Sequence, residues 1–580
     1  MPWWVAPTHI HIENWKAQNT DIVALAMVFR PKQAPQGQFC PFNWKLLRAA
    51  PRKLPGKPWR NLCQATRKTW LKSMLVVPAN PARHHPFQFL IQNPAMSPIF
   101  QRILSYLCLA AVLGLVYGLT IAPGLTWANS GADGGDFISA AYTGGVPHPS
   151  GYPLYLLLVR AAQLLPLGKM AFRSNLLSAG LAILAALAAY GFMRRVDGQK
   201  LWGLPAWLAA LALGLAPAVW GQAVITEVYT LHLLFAVLIT SQALAGWRGL
   251  PAGRADLLRG ITFGLGLSNH VTTVFLLPAL CLEPSGKPDF GRILRRGAGA
   301  VLVAVLLYST LMLRASQHAP VNWGNPSTPA RLAALVSGQI YQEYVGQAGL
   351  DISERAALLL GDISIQFGIV GLVLALLGLF FVPVPRNFYL LSGSLAVASI
   401  GFVLFYNTAD SFVYLLPLYF LLAVYLERGI GYCASFLQEK RGPGLAVLSL
   451  VVIALSLGWN VAQNWSRVDA SRDQRAEEFA REIWQKAPQD AILVVRDDQA
   501  SLSLWYYQFV EGQRPDTAIV VLGLLDYDWY RQMLRDTYPS LKVPEGAADV
   551  RKAIEQANPA RAACVVLADP IVALSCNLRK

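Results

Sequence analysis

Hydrophobic positions in the middle of this chain come in unbroken runs, not in alternating stripes. Residues 103–132, 174–193, 201–226, 228–247, 260–282, 297–313, 363–385, 387–409, 411–426 and 442–466 contain no Asp, Glu, Lys or Arg. A helix needs about 20 mostly apolar residues to span the hydrocarbon layer, and a charge at its centre costs about 2.5–3.5 kcal/mol. These runs predict an α-helical multipass membrane protein with about 10 to 12 transmembrane helices. The run 260–282 stands apart because basic residues flank both of its ends. It reads as two short or re-entrant passes broken near Ser268-Asn269-His270.

After residue 460 the pattern shortens. Ala491–Val495, Ala518–Leu522 and Ala563–Leu567 read as short buried strands, with helical stretches between them, one around Leu502–Val510. That alternation predicts a small C-terminal soluble α/β domain of about 120 residues.

Composition agrees with the pattern. The chain is 54% hydrophobic and 14% charged, with a mean hydropathy of +0.39, where soluble proteins carry about 25% charged residues. The net charge of +16 would by itself point to nucleic acid or an anionic surface. Its distribution removes the first option, and no nucleic-acid partner is expected. Residues 1–95 hold 13 Lys/Arg and two acids, residues 96–460 hold 21 and 14, and residues 461–580 hold 15 and 17. Cations in the body mark loops retained in the cytoplasm. The segments 123–172 and 314–362, Glu227 and the tail 461–580 then fall outside. The arm 1–95 reads either as a tether to lipid headgroups or, since Met96 begins a plausible start before the first span, as an upstream translation artefact or unordered extension. The expected division is 1–95, 96–460 and 461–580.

Seven cysteines form no Cys-x-x-Cys and no Cys/His cluster, so no zinc site is indicated. Cys564 and Cys576 both lie in the tail and read either as a pair or as two buried thiols.

Candidate chemistry concentrates in the first outer loop. Asp133-Gly-Gly-Asp136 sets two carboxylates three residues apart in a Gly-rich segment, followed by His148-Pro-Ser-Gly-Tyr152-Pro-Leu154. A carboxylate there suits proton abstraction from a hydroxyl or cation binding. Asp133 also reads as the N-cap of a helix beginning near Gly134. Tyr152–Leu165 suits a helix lying along the membrane face. Arg173 opens the second span and is open to phosphate binding or to snorkelling. No phosphate-binding or dinucleotide glycine motif is present in a strand-to-helix setting.

These segments resemble a multipass membrane family grouped with protein O-mannosyltransferases of the GT-C glycosyltransferase type. The likeness is carried by Asp133-Gly-Gly-Asp136, His148–Leu154 and Arg173-Ser-Asn-Leu-Leu-Ser178. Trp220–Tyr229, Gly264–His270, Trp323-Gly-Asn-Pro326 and Asp410–Pro417 extend it, as do Arg496-Asp-Asp498, Leu504–Gln508 and Arg514-Pro-Asp516 in the tail. Asp136 stands where Glu is commoner and Ser150 where a second Pro is usual.

The resemblance implies a membrane glycosyltransferase that moves a sugar, mannose-like hexose among the options, from a polyprenyl-phosphate donor to a hydroxyl of a protein, lipid or glycan, with inversion, on the extracytoplasmic face. Asp133 is the expected base and Asp136 the second choice. His148, Tyr152, Arg173, Glu227, Tyr229, His270, Trp323, Asn325, Tyr341 and Asp410 are the expected substrate-binding residues. A divalent cation is left open. The alternatives are a secondary transporter, which predicts internal repeats and mid-membrane charges, and a non-catalytic membrane scaffold whose tail binds a partner.

Overall fold

The structure, a computed structural model, describes residues 97–577 apart from 197–202, 245, 247–249, 284–288, 348–349, 409, 545–548 and 569–571. The expectation for the arm 1–95 lies outside the described residues. Within them, seven helices are long and apolar enough to cross a membrane: Ile99–Thr120, Met170–Val196, Phe290–Ala315, Ile352–Phe381, Arg386–Phe405, Ser411–Arg441 and Pro443–Val468. An eighth is the bent pair Leu204–Gly214 and Pro217–Ala223, which turns by 61° where Pro217 cannot continue the backbone ladder. The chain is an integral membrane protein. The count falls short of the expected ten to twelve because several apolar runs fold into helices too short or too charged to span alone, such as Tyr229–Leu244 and Ala252–Asn269.

The face that these helices turn outward is apolar. Leu313, Ile369, Val397 and Leu455 are each more than two-thirds exposed, an arrangement that water disfavours and lipid satisfies. Inside, close approach decides helix pairing. A Cβ on Gly378 would lie 1.9 Å from the Tyr425 carbonyl oxygen, and one on Gly429 would lie 1.8 Å from that of Leu374. Only glycine lets helices 352–381 and 411–441 touch backbone to backbone.

The awkward run resolves as a return. Helix Ala252–Asn269 ends at His270, and the chain comes back through the 3₁₀ turn Val271–Leu276 and Pro278–Cys281. Arg259 near the start then donates to the Leu282 carbonyl at its end, 2.8 Å away. The flanking cations thus share one end of the bundle. There the fully buried Arg296 is paired with Asp256 and Glu283.

The segments joining the spans at the opposite end hydrogen-bond one another. Ala122 donates to Val224, Ala470 to Thr120, and Gly346 to Phe405. The tail packs at this end. Its sheet runs in the order β2-β1-β3-β4, from β1 (Ile492–Val495), β2 (Ala518–Val521), β3 (Ala563–Leu567) and β4 (Ala573–Asn577). The β1 strand pairs in parallel with β2 and β3, and β4 closes antiparallel on β3. The sequence reading found the first three strands and missed β4, which lacks a continuous apolar run. Cys564 and Cys576 face each other across β3 and β4 and form a disulfide.

Candidate active site

Three close approaches assemble the site at the tail-side end. A Cβ on Gly145 would meet the Val321 carbonyl oxygen at 1.9 Å. Its absence lets Val146 accept from the Trp323 amide and donate to Val321, so the loop after residue 144 pairs with the segment Val321–Trp323. A Cβ on Gly135 would meet the Leu502 carbonyl oxygen at 2.3 Å. Its absence lets the loop helix Gly134–Thr143 lie against the tail helix Asp498–Phe509. Finally, Asp473 accepts from the Trp127 and Ala128 amides at 2.9 and 2.8 Å, clamping the tail to the chain just ahead of Asp133.

The two loop carboxylates have unlike surroundings. Asp136 is fully buried. Its Oδ2 accepts from the His148 amide at 2.8 Å and lies 2.7 Å from the ring Nδ1, while Oδ1 accepts from the Trp323 indole at 3.0 Å. Asp133 is left 35% exposed and stands 3.7 Å from Nε2 of the same His148. It makes no cap hydrogen bond to the helix that it precedes; the capping reading therefore fails, and the carboxylate is not consumed by the backbone. The turn before it is bent, with Asn129 and Ser130 at φ 53° and 63°.

Burial and neighbouring charge together set the protonation. Burial pushes the Asp133 carboxyl up from the ordinary range to about 7, His148 opposing this and the carboxylates of Asp410, Asp498 and Asp136 adding to it. Burial disfavours a charged His148 ring, but Asp133 and Asp136 outweigh it and hold the imidazole up at about 9. One imidazolium thus sits between two carboxylates.

Aromatic rings continue the site toward the bundle. Tyr152 lies 5.2 Å from His148 and 5.7 Å from His270. His270 in turn contacts Tyr229 and Tyr414 at 5.5 and 5.6 Å. Tyr152, His270, Tyr341, Phe402, Tyr406 and Tyr414 help to wall a cavity of about 360 Å³. Its outer wall includes Val274 and Val345, each about half exposed.

The expected site residues divide accordingly. Asp133, Asp136, His148, Tyr152, Tyr229, His270, Trp323 and Tyr341 come together. Asp410, ahead of the 3₁₀ turn Ser411–Leu415, makes no cap hydrogen bond there and acts on Asp133 by charge. Glu227 is buried, and its carboxylate accepts the amide of the next residue, Val228. Asn325 is held at φ 39° beside the Trp323 segment. Arg173 is drawn elsewhere: its guanidinium donates to the carbonyls of Leu167, Gln163 and Gly168. These bonds clamp the turn before its helix. Its motif partner Asn175 likewise staples Ala122, Gly124 and Thr226.

Tyr406 and Tyr414 of the cavity wall were missed, and so was a residue of the tail. Asp498, in the first turn of its tail helix, has its carboxyl raised by burial, with His148, Asp136 and Asp410 among the charges acting on it. The Arg496-Asp-Asp498 motif was visible, but nothing local says that a soluble domain reaches the loop. Among the described residues no group of three or more His, Cys, Asp or Glu is arranged to hold a metal ion.

Two family models match the chain: "Protein O-mannosyl-transferase TMEM260 N-terminal domain" over residues 133–283 and "TMEM260-associated domain 2" over residues 476–557. The first begins at Asp133 and the second contains the Asp498–Phe509 helix. Among similar proteins, Protein O-mannosyl-transferase TMEM260 of Mus musculus is 26% identical over 471 residues, 75% of this chain and 65% of that one. Its namesake in Dictyostelium discoideum is 21% identical over 496 residues, 74% and 58% respectively. The chain therefore spans less than two thirds of the length of either relative. A solved structure of ArnT from Cupriavidus metallidurans bound to undecaprenyl phosphate is 12% identical, with a TM-score of 0.48 over 72% of this chain and 90% of that one. The family models and relatives bear out the grouping with protein O-mannosyltransferases read from the sequence.

Proposed function

We propose that this chain, grouped as it is with the protein O-mannosyltransferases, is a membrane glycosyltransferase that moves a sugar from a polyprenyl-phosphate donor to a hydroxyl. The relatives' names supply mannose as the sugar and protein as the acceptor. The observation that carries the reading is the contrast between the two carboxylates. Asp136 is fully buried and hydrogen-bonded to His148 and Trp323, while Asp133 is partly open, makes no cap bond, is poised near neutrality and is backed by His148 beside an aromatic-walled cavity.

In this reading Asp133 takes the proton of the acceptor hydroxyl as that oxygen attacks the anomeric carbon. A base poised near the working pH is the efficient choice. Attack from the face opposite the phosphate inverts the sugar. The departing phosphate leaves toward the cavity, where the hydroxyls of Tyr341, Tyr406 and Tyr414 and the ring of His270 serve as donors. Asp136 is a positioning residue, since it is fully buried and orients His148. The half-exposed apolar wall at Val274 and Val345 suits entry of a lipid tail from the bilayer. The disulfide between Cys564 and Cys576 supports an oxidising, extracytoplasmic setting for the tail. Residues 96–460 then form the transferase body and 461–580 an extracytoplasmic domain that completes the site.

The test is sugar transfer from a mannosyl-phosphoryl-polyprenol by the Asp133→Asn and Asp136→Asn variants. Asp133→Asn is expected to lower kcat by about 10²–10⁴-fold, the range for a lost general base. Transfer undiminished in both would sink the assignment. Solute flux in proteoliposomes lacking any lipid-linked sugar would favour a transporter instead.

A further inference from the structure

His232 is a buried imidazole that the chemistry above leaves unused. It lies on the short helix Tyr229–Leu244 and packs against His270, their ring centres 5.2 Å apart. Two threonines of the 3₁₀ turn Val271–Leu276 join the pair. Thr272 Oγ1 lies 2.7 Å from His270 Nδ1 and 3.3 Å from His232 Nε2, and Thr273 Oγ1 lies 3.3 Å from His232 Nδ1. All four side chains are buried.

One contact gives this relay its direction. The Thr272 backbone amide donates to His270 Nδ1 over 3.3 Å. An amide N–H can only donate, so Nδ1 accepts and carries no proton. The His270 ring is then neutral, with its proton on Nε2. The Thr272 hydroxyl also donates to Nδ1, which leaves its oxygen to accept from His232 Nε2. His232 is thereby fixed in the same tautomer, and its Nδ1 accepts from the Thr273 hydroxyl.

Three of the four ring nitrogens are used inside the relay. The fourth, His270 Nε2, has no hydrogen-bond partner among the described residues, and its ring lines the 360 Å³ cavity. No Lys or Arg is among the described residues that wall this cavity, so the state of His270 decides what the wall offers an anion. The charges acting on the ring are those of His232 and His148, and the phenols against it are Tyr152, Tyr229 and Tyr414. No carboxylate is among them to hold a second proton.

We propose that His232, Thr272 and Thr273 are positioning residues, which lock His270 as a neutral imidazole presenting its Nε2–H to the phosphate of the sugar donor. The inference rests on the glycosyltransferase reading. A donor fixed in advance needs no reorganisation as negative charge gathers on the departing phosphate.

The experiment uses the full chain in nanodiscs, with isotope-labelled histidine and the His270 signals assigned by their loss in His270→Gln. Nitrogen NMR at neutral pH is expected to show His270 protonated on Nε2 alone. Thr272→Val keeps the volume and removes the hydroxyl. It is expected to move part of the proton population to Nδ1 and to lower kcat with mannosyl-phosphoryl-polyprenol about two- to tenfold, the worth of one hydrogen bond. The donor KM should stay put, and Thr272→Ser should restore both the signal and the rate. His232→Phe should shift the signal in the same direction. A proton on Nδ1 of wild-type His270 would overturn the lock. A shifted signal in Thr272→Val with kcat unaltered would overturn its part in transfer. A wild-type chain that consumes no donor, its His270 signal as expected, would sink the transferase reading and the phosphate role with it, while the lock stands.

Discussion

The indole of Trp323 donates to Oδ1 of Asp136 over 3.0 Å, joining two segments 187 residues apart. One buried carboxylate thereby locks the first loop, through His148, to the second. Losing this donor leaves a buried charge short of a partner, which costs about 1–3 kcal/mol. Trp323→Phe keeps an aromatic ring but not the N–H. It is expected to lower the melting temperature in detergent and to cut sugar transfer, with Asp133 untouched. An unchanged melting temperature would mean that the bond contributes nothing.

The protonation of Asp133 and His148 fixes a pH window. Asp133, raised to about 7, acts as a base only once its proton has left, so transfer should climb as pH rises through that value. His148, raised to about 9, loses its charge on the alkaline side, where the rate should fall again. His148 also lowers the pKa of Asp133. His148→Gln should therefore move the acid limb to higher pH, read from kcat profiles. A rate flat across neutrality would contradict the assignment of the base.

Gly135→Ala offers a test that touches no polar group. In a free helix the change would stabilise by about 0.5–1 kcal/mol. Here the new Cβ would lie 2.3 Å from a backbone oxygen of the tail helix. The sign should reverse: the tail loosens, limited proteolysis cuts sooner in the segment 469–475, and transfer drops.

The clamp at Asp473 should fail in acid. Burial raises this carboxyl, but hydrogen bonds from Arg475 and Thr126 outweigh it and hold it down at about 2, against an ordinary value of about 3.9. A depressed carboxyl contributes its full stability above the ordinary value and loses it as pH falls toward the folded one. Tail protection against protease should therefore persist at neutral pH and decline in strong acid. Asp473→Asn should show the weakened state already at neutral pH. Equal protection in variant and wild type would show that the clamp is idle.

Much of this was legible along the chain. Runs free of charge located the spans, because a helix in lipid satisfies its own backbone and needs only apolar side chains. The break at His270 and the pairing option for Cys564 and Cys576 were also there to read. The motif Asp133-Gly-Gly-Asp136 singled out two carboxylates that the fold gathers around His148. It could not rank them by environment, since that depends on a histidine 12 residues on and a tryptophan 187 residues on.

Arg173 shows the limit most plainly. A cation at the mouth of a span invites a phosphate, but only the folded turn reveals three carbonyl oxygens already facing it. Asp498 shows the converse: its motif was visible, but nothing along the chain told that Gly135 would admit its helix against the loop. Sequence alone determined that the chain lives in a membrane and which loop holds its acids, because hydrophobicity and turn chemistry act locally. Tertiary structure alone decided which acid is open and which is spent. Burial and hydrogen bonding are set by residues far apart in the chain, and they meet only where missing Cβ atoms let backbones touch.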